Sequence, residues 1–462
     1  MRTRKDINLP LWARAADAAA MILTLIAVLA ALYPFQIDAL HLSVRRFSRP
    51  LMAAVVIAVA RHAFVRAPTL PAIVRDAVIT FSHRHAALSF AVPVALVTRA
   101  LVLLVGYIAA LTIPFPSDSP IPYSRSNAWW DLPFRWDAGW YLNVVKNGYS
   151  WTGDAGVGQT LNFFPAYPLL VRAIASIVSP TAMPRDAALA WTATMVSIAA
   201  FAAAAVYLYR FAAEQFGDRI ASAAVVILAA YPFAVFYSAV YSESLFLLCT
   251  IAAWYHMRRS EHVAAFVWGA IAGLCRPNGA LLSIALIVDA IARRARSAPA
   301  FTAAAAPLAG MLLYSAFAYH LTGRPFVWVE LQRAAWGRTY QGLGSTVGTE
   351  LKLLYEIGLV RYLNAWPWQA LNLAPTVGTL ISVWPVTRRL GIAAGVFVAA
   401  NTLLPLLNGG LVGMGRYTAT LFPMFVWLAL AVDGRWLGVV ACCFGAGQAL
   451  IAALFFTWRP IM

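Results

Sequence analysis

The 462-residue sequence predicts an all-α polytopic integral membrane protein, and three observations carry that prediction. Hydrophobic residues make up 62% of the chain and charged residues only 11%, whereas soluble domains hold roughly 45–50% and about 25%. Apolar stretches recur along nearly the whole length, and at roughly 20 residues per crossing the apolar content suffices for a dozen or more spans. Arginines gather in the short breaks between these stretches, as topology signals do. A single water-soluble core, a disordered chain and a disulfide scaffold are all excluded by this composition.

About thirteen transmembrane helices are expected, at roughly 15–35, 50–66, 88–113, 186–209, 220–236, 242–257, 262–275, 279–292, 300–321, 370–386, 390–408, 417–433 and 436–456. Each is an apolar run closed by a charged or Gly/Pro-containing break. The first has no convincing cleavage site and is followed by many more spans, so it reads as a retained helix, not a removed signal. The chain then divides into N-terminal helices at 1–113, a hydrophilic loop at 114–185, and a helical bundle at 186–462 that includes a second loop at about 322–369. No soluble stretch is long enough for a separate domain, and no repeat is visible.

Orientation follows from Arg and Lys in short loops. With the N-terminus (Arg2, Arg4, Lys5, Arg14) in the cytoplasm, the breaks holding Arg210 and Arg219, Arg258 and Arg259, residues 293–296, Arg388 and Arg389, and Arg435 all fall inside. Both long loops then fall outside. Arg45, Arg46 and Arg49 run against the rule. The net charge of +17 comes from 32 arginines and three lysines (Lys5, Lys146, Lys352) scattered between apolar segments, without the dense stripe of a nucleic-acid-binding surface. Cys249, Cys275, Cys442 and Cys443 lie within or beside apolar runs and suit packing better than a metal site.

The first outer loop carries the main chemical signal. Residues 134–149 read as a short amphipathic helix, with Asp137 at its N-cap and Gly148 as its stop. Trp140, Tyr141, Val144 and Val145 share one face, and Asn143, Lys146 and Asn147 another. Such a helix suits the membrane interface. A second helix follows Phe163-Phe164-Pro165-Ala166-Tyr167-Pro168, with Pro168 in its first turn. Asp137 reads as a helix cap, as a base at the bilayer edge, or as both, since a helix N-terminus favours the ionised carboxylate. If a sugar donor is a lipid phosphate, the phosphate leaves as a stable anion and needs no general acid. One base acting on an acceptor hydroxyl then suffices, unlike the two carboxylates of glycoside hydrolysis. The leaving phosphate suits arginine, and Arg276, Arg338 and Arg416 fall on the same side as Asp137.

The run Arg135-Trp136-Asp137…Tyr141-Leu142…Asn147-Gly148-Tyr149, with Phe163-Phe164-Pro165-Ala166-Tyr167-Pro168-Leu169, resembles the PIG-V-like mannosyltransferases, the GPI second-mannose transferases and their bacterial relatives. Tyr241-Ser242-Glu243-Ser244-Leu245-Phe246, Arg276-Pro277-Asn278-Gly279 and Gly415-Arg416-Tyr417…Phe422-Pro423 are similar in the same order, so the likeness spans about 125–425. The resemblance implies a GT-C glycosyltransferase that uses a polyprenyl- or dolichyl-phosphate sugar, usually mannose, on the non-cytoplasmic face. It implies Asp137 as the base and no metal or other cofactor. Two departures stand out. Three apparent spans precede the Trp-Asp motif where eukaryotic members have one, and the Ala- and Arg-rich composition suits a bacterial inner membrane, where a GPI acceptor is not expected.

The remaining candidates divide between site and scaffold. Arg276, Arg416, Tyr417, Glu243, Asn278 and Arg338 are candidates for contact with the donor phosphate or substrate. Trp136, Tyr141, Phe163, Phe164 and Tyr167 are expected to shape the loop over the site. Glu243 could instead tie two helix ends together, and Arg276 could snorkel. Trp328, Glu330, Gln332 and Trp336 suit a sugar or an interfacial aromatic belt. Arg61, Arg99 and Asp289 suit structural pairs or helix-end groups, and His83 and His85 lie too near a cytoplasmic loop to join the site. No metal-gripping Asp-x-Asp, His-Glu-x-x-His or Gly-Lys-Ser/Thr motif occurs. The expected partners are a lipid-phosphate sugar, a glycan, glycolipid or other hydroxyl acceptor, and the bilayer. A transporter or lipid-glycan flippase is the rival reading.

Overall fold

The computed structural model describes residues 10–32, 35–37, 42–44, 47–65, 85–177, 183–340 and 342–461. Arg2, Arg4, Lys5, Arg45, Arg46 and His83, which entered the sequence reading, lie outside them. The chain forms two compact units, Met1–Ala86 and Ala87–Met462.

In the first unit α1 (Leu11–Leu32) packs on α2 (Ser48–Phe64), and β1 (Phe35–Ile37) pairs antiparallel with β2 (Leu42–Val44), Phe35 opposite Val44. The two helices are tied by a buried fork. Arg61 Nε lies 2.8 Å from Asp17 Oδ1, and Arg61 Nη2 donates to Asp17 Oδ2 at 2.9 Å. Two charges taken out of water together need this bidentate geometry to offset their desolvation. Arg61 is thus the structural pair that its apolar surroundings suggested.

The second unit is helical. It runs through α3 (Ala86–Thr112), α4 (Ala138–Asn147), α5 (Ala166–Ala175), α6 (Arg185–Phe216), α7 (Asp218–Ala230), α8 (Glu243–Arg258), α9 (His262–Cys275), α10 (Leu281–Ala292) and α11 (Ala298–Thr322). It continues with α12 (Val327–Ala334), α13 (Leu343–Ile357), α14 (Leu359–Ala365), α15 (Pro367–Leu390), α16 (Ile392–Gly409), α17 (Met414–Ala419), α18 (Phe422–Ala431) and α19 (Gly434–Phe456). The two long loops of the sequence reading therefore contain short helices: α4 and α5 in one, α12, α13 and α14 in the other.

The structure does not confirm the count of about thirteen spans. Six helices among the described residues are long and apolar enough to cross a membrane, or seven if the bent pair Asp218–Ala230 and Pro232–Ser238 is one span. The other apolar runs fold as shorter pieces. The run at 417–433 is split between α17 and α18, and those at 262–275 and 279–292 are separated by Arg276-Pro277.

The bent pair shows how such breaks are stabilised. Tyr231 precedes Pro232 and takes the extended conformation that a following proline favours, φ −53° and ψ 137°. The axis turns by 81°. Backbone carbonyls freed by the turn need donors, since an unsatisfied one costs about 1–3 kcal/mol. Arg99 Nη2 donates to Ala229 O at 2.7 Å and Nη1 to Ala234 O, while Gln448 Nε2 donates to Ala229 O at 2.8 Å and Tyr231 O at 3.0 Å. The Arg99 guanidinium also lies over Phe201, 5.0 Å from the ring centre. Arg99 is neither half of an ion pair nor a snorkelling group; it braces this break.

Small residues allow close helix crossings elsewhere. A Cβ on Gly273 would meet Pro307 O at 1.9 Å, and one on Gly310 would meet Ala270 O at 2.1 Å, so α9 and α11 approach backbone to backbone. At the far end of α8, Arg258 and Arg293 flank Asp289 at 3.3 and 3.8 Å, and Arg259 pairs with Glu214 at 2.8 Å. Asp289 is the structural partner anticipated for it. Glu243 begins α8 and Arg258 ends it, a separation of about 24 Å for 16 residues. The arginine-rich breaks at 258–259 and 293 thus lie at the opposite end of the bundle from Glu243.

Candidate active site

Asp137 is positioned by its neighbours on both sides. Arg135 is buried, with Nη2 2.8 Å from Asp131 Oδ2 and Nε donating to Phe456 O at 2.7 Å. Trp136 adopts φ +54°, a left-handed conformation that costs a bulky residue about 1–2 kcal/mol. It is held there by its indole Nε1, which donates to Phe455 O at 3.1 Å, and by the Trp458 ring at 5.4 Å. The Trp-Asp motif is therefore fastened to the end of α19. Asp137 occupies the N-cap position of α4, and Gly148 ends that helix at φ +78°.

The expected capping bond is not made. Asp137 has helical dihedrals of −68° and −6°, and its side chain caps nothing. Oδ2 instead accepts from Arg416 Nη1 at 2.8 Å, while the Asp137 N–H donates to Tyr241 Oη at 3.0 Å. An ion pair in a partly buried setting has drawn the carboxylate off the helix end. Tyr141, Leu142, Val144 and Val145 turn the apolar face of α4 inward, and Lys146 is exposed.

Arg416 reaches Asp137 because its backbone is closely seated. Gly413 takes φ +72°, and a Cβ on Gly415 would lie 2.2 Å from the Phe233 ring. The Gly415 N–H donates at 2.8 Å to Oδ1 of the buried Asn372, whose Nδ2 donates to Ile461 O at 2.8 Å. Arg416 lies over the Tyr241 ring at 4.5 Å, and its Nε pairs with Glu243 Oε1. Arg276 enters from the break after α9, extended at φ −159° and ψ 151°, and its Nη1 donates to the same Glu243 oxygen at 2.5 Å. Asn278 donates to Asn401 Oδ1 at 2.9 Å, fixing that turn. Arg276 and Arg338 approach the Tyr417 ring at 5.1 and 5.7 Å.

These groups border one cavity of about 990 Å³. Asp137, Arg276, Arg338, Arg416, Tyr417, Asn278, Tyr141, Phe163 and Phe164 all line it, and Asp137 is the only carboxylate among the described residues that do so. Gln332 and Asn162 line its loop wall and are joined at 2.8 Å, beside Trp328 and Trp336. Glu330 points elsewhere, to Arg324 at 2.8 Å. Phe163 stacks on Trp140 at 5.8 Å and meets Trp336 edge-on at 6.1 Å. Three candidates stand behind the wall. Trp136 packs on α19, Tyr167 is buried and donates to Ala193 O at 2.9 Å, and Glu243 is 0% exposed beneath its two arginines.

Burial pushes the Tyr141 hydroxyl up to about 12, with Arg416 opposing, so it stays protonated and pairs with Ser242 Oγ at 2.9 Å. Asp137 supplies the carboxylate of this wall, the kind of side chain that serves as a general base. Burial opposes ionisation of Tyr417 too, yet Arg338, Arg276 and Arg416 hold its pKa below the ordinary phenol value. The field at that end of the cavity is positive. Among the described residues no three His, Cys, Asp or Glu side chains group together as a metal site would require.

Sequence reasoning missed Tyr241 and Ser242, which lay unassigned within a quoted motif, and Asn372. The signal for Asn372 was a primary amide inside an apolar run, expensive unless it is bonded.

Residues 108–320 match the family described as Mannosyltransferase (PIG-V). GPI mannosyltransferase 2 of Drosophila pseudoobscura pseudoobscura is 30% identical over 156 residues, 32% of this chain and 33% of that protein. GPI mannosyltransferase 2 of Drosophila melanogaster is 25% identical over 210 residues, 40% of this chain and 44% of that protein. The chain thus matches between a third and less than half of the length of these curated relatives. Among solved structures, the Archaeoglobus fulgidus oligosaccharyltransferase in complex with Zn and sulfate aligns at TM-score 0.42 and 15% identity, covering 77% of this chain and 53% of that one. ArnT from Cupriavidus metallidurans bound to undecaprenyl phosphate aligns at TM-score 0.42 and 13% identity, covering 78% and 75%. The PIG-V-like resemblance is borne out over 108–320, a stretch that holds four of the five motif segments and stops short of Arg416.

Proposed function

We propose that this chain is a membrane glycosyltransferase of the GT-C type that moves a hexose, mannose on the family resemblance, from a polyprenyl-phosphate donor to an acceptor hydroxyl with inversion. The observation that carries the reading is the pairing of Asp137, the only lining carboxylate among the described residues, with Arg416 in a wall that Arg276 and Arg338 share. A lipid-phosphate donor needs one base and a cationic seat for its leaving group. The cavity contains those two kinds of group, on opposite sides of a 2.8 Å contact.

In the proposed step, Asp137 Oδ1, which has no bonded partner among the described residues, takes the proton of the acceptor hydroxyl. The acceptor oxygen attacks the anomeric carbon, and the bond to the phosphate oxygen breaks with its electron pair leaving on the phosphate. Arg276, Arg338 and Arg416 stabilise that growing charge, and planar guanidinium forks suit its oxygens. Phe163 and Phe164 line the loop wall and keep water from the reacting carbon. A single in-line displacement inverts the anomeric centre. The site faces the periplasm or exterior of a bacterial inner membrane in this reading, on the Arg-loop asymmetry and the Lys-poor composition.

The test is transfer by the purified protein from labelled polyprenyl-phosphate mannose to a panel of glycan, glycolipid and other hydroxyl acceptors, with the anomeric configuration of the product read by NMR. Inverted product supports the proposal. Retained configuration refutes the single displacement, and movement of the lipid across a vesicle without sugar release favours a flippase or transporter.

A further inference from the structure

We propose that Glu243 is a positioning residue: from behind the cavity wall it holds the Arg276 and Arg416 guanidiniums side by side, so that both grip one phosphate of the lipid donor. This rests on the functional reading above. Glu243 does not line the cavity and is 0% exposed, so it cannot touch a ligand there. It nevertheless faces two groups that do line it, with one oxygen, Oε1, shared between Arg276 Nη1 at 2.5 Å and Arg416 Nε.

The arginines arrive on unrelated elements, one from the break after α9 and one from α17. Two guanidiniums brought together in a poorly hydrated site repel each other strongly, and one buried anion between them removes that repulsion. Each then retains unused N–H groups: Arg276 donates to Glu243 through Nη1 alone, and Arg416 binds its two carboxylates through Nε and Nη1. Arg333 and Arg338 add two further guanidiniums that line the same cavity without a carboxylate partner among the described residues. Four lining arginines against two carboxylates leave positive charge in excess, which suits the negative charge of a sugar phosphodiester. After transfer the lipid phosphate carries more charge than the donor did. A cluster of this kind therefore holds the leaving group more tightly than the ground state, which is the direction that accelerates transfer.

Glu243→Gln removes the anion while keeping the shape, and Glu243→Asp keeps the charge but draws it back by one methylene. Kinetics with polyprenyl-phosphate mannose and acceptor should be measured alongside direct binding of polyprenyl phosphate alone. Expected for Gln is a rise of about tenfold or more in donor KM and in the polyprenyl-phosphate Kd, with acceptor KM within about twofold of the parent. Asp should fall between. Unchanged donor KM and lipid-phosphate Kd in both variants overturn the proposal, as do parallel rises in donor and acceptor KM, which mark a merely structural role. Should the Gln protein not fold, the Asp protein alone decides by the same donor-against-acceptor split. Parent protein that binds polyprenyl phosphate but transfers no sugar sinks the functional reading, while the binding comparison still judges Glu243.

Discussion

Replacing Asp137 by Asn separates catalysis from architecture, because the amide keeps the shape and an acceptor oxygen while losing the basic group. A positioned general base typically contributes a factor of about 10²–10⁴, or roughly 3–5 kcal/mol of barrier. The structural loss is far smaller. Asp137 is 25% exposed at its side chain, Arg416 keeps its contact with Glu243, and the new amide carbonyl can still accept from Arg416 Nη1. A partly solvated bridge of this kind contributes about 1 kcal/mol or less. The Asp137→Asn protein should therefore insert and melt close to the parent, while kcat with labelled polyprenyl-phosphate mannose falls at least about a hundredfold. Turnover within a few-fold of the parent at saturating donor would refute the assignment of the base. Loss of activity accompanied by a collapsed melting transition would instead assign Asp137 to the scaffold.

Arg338→Met should leave thermal stability within about 0.5 kcal/mol, since this half-buried arginine has no carboxylate partner among the described residues, yet raise donor KM several-fold. Unchanged KM would remove Arg338 from the phosphate seat. Gly415→Ala forces a Cβ to within 2.2 Å of the buried Phe233 ring, an overpacking that costs about 1–3 kcal/mol, and it displaces the adjoining Arg416. Transfer should fall by more than the melting shift alone explains. Arg99→Met strips the donor from Ala234 O and one of two donors from Ala229 O, and should lower stability in detergent by about 1–3 kcal/mol. A parent-like melting curve would show that the bent pair does not depend on this brace.

Much of the site was legible because its residues sit in short motifs whose chemistry is local. Trp136-Asp137, Phe163-Phe164 and Arg276-Pro277-Asn278 each combine an aromatic or helix-breaking residue with a polar one inside or beside apolar sequence. What they bond to was not legible. Asp137 satisfied every local requirement of an N-cap, and it took Arg416, 279 residues away, to draw its carboxylate elsewhere. Arg99 looked like half of an ion pair or a helix-end group, but its partners are carbonyls exposed by a bend at Tyr231-Pro232, 130 or more residues along the chain. The number of helices that cross in one piece was not legible for a related reason. Composition counts apolar residues, whereas prolines, glycines and buried polar groups decide whether a run crosses in one piece.

The sequence by itself determined the solvent. With 62% hydrophobic and 11% charged residues, only a bilayer-embedded helical chain buries its apolar surface while bonding its own backbone. It also determined which residues were available for chemistry, since a few acids and arginines stood out against the apolar background. Only the tertiary structure decided that Asp137, Glu243, Arg276 and Arg416 form one charged cluster, with Glu243 behind the wall and Asp137 in it. The reason is physical. Hydrophobic period and propensity act over a few neighbouring residues, but a buried charge takes its partner from whichever chain segment the packed helices bring within hydrogen-bonding reach.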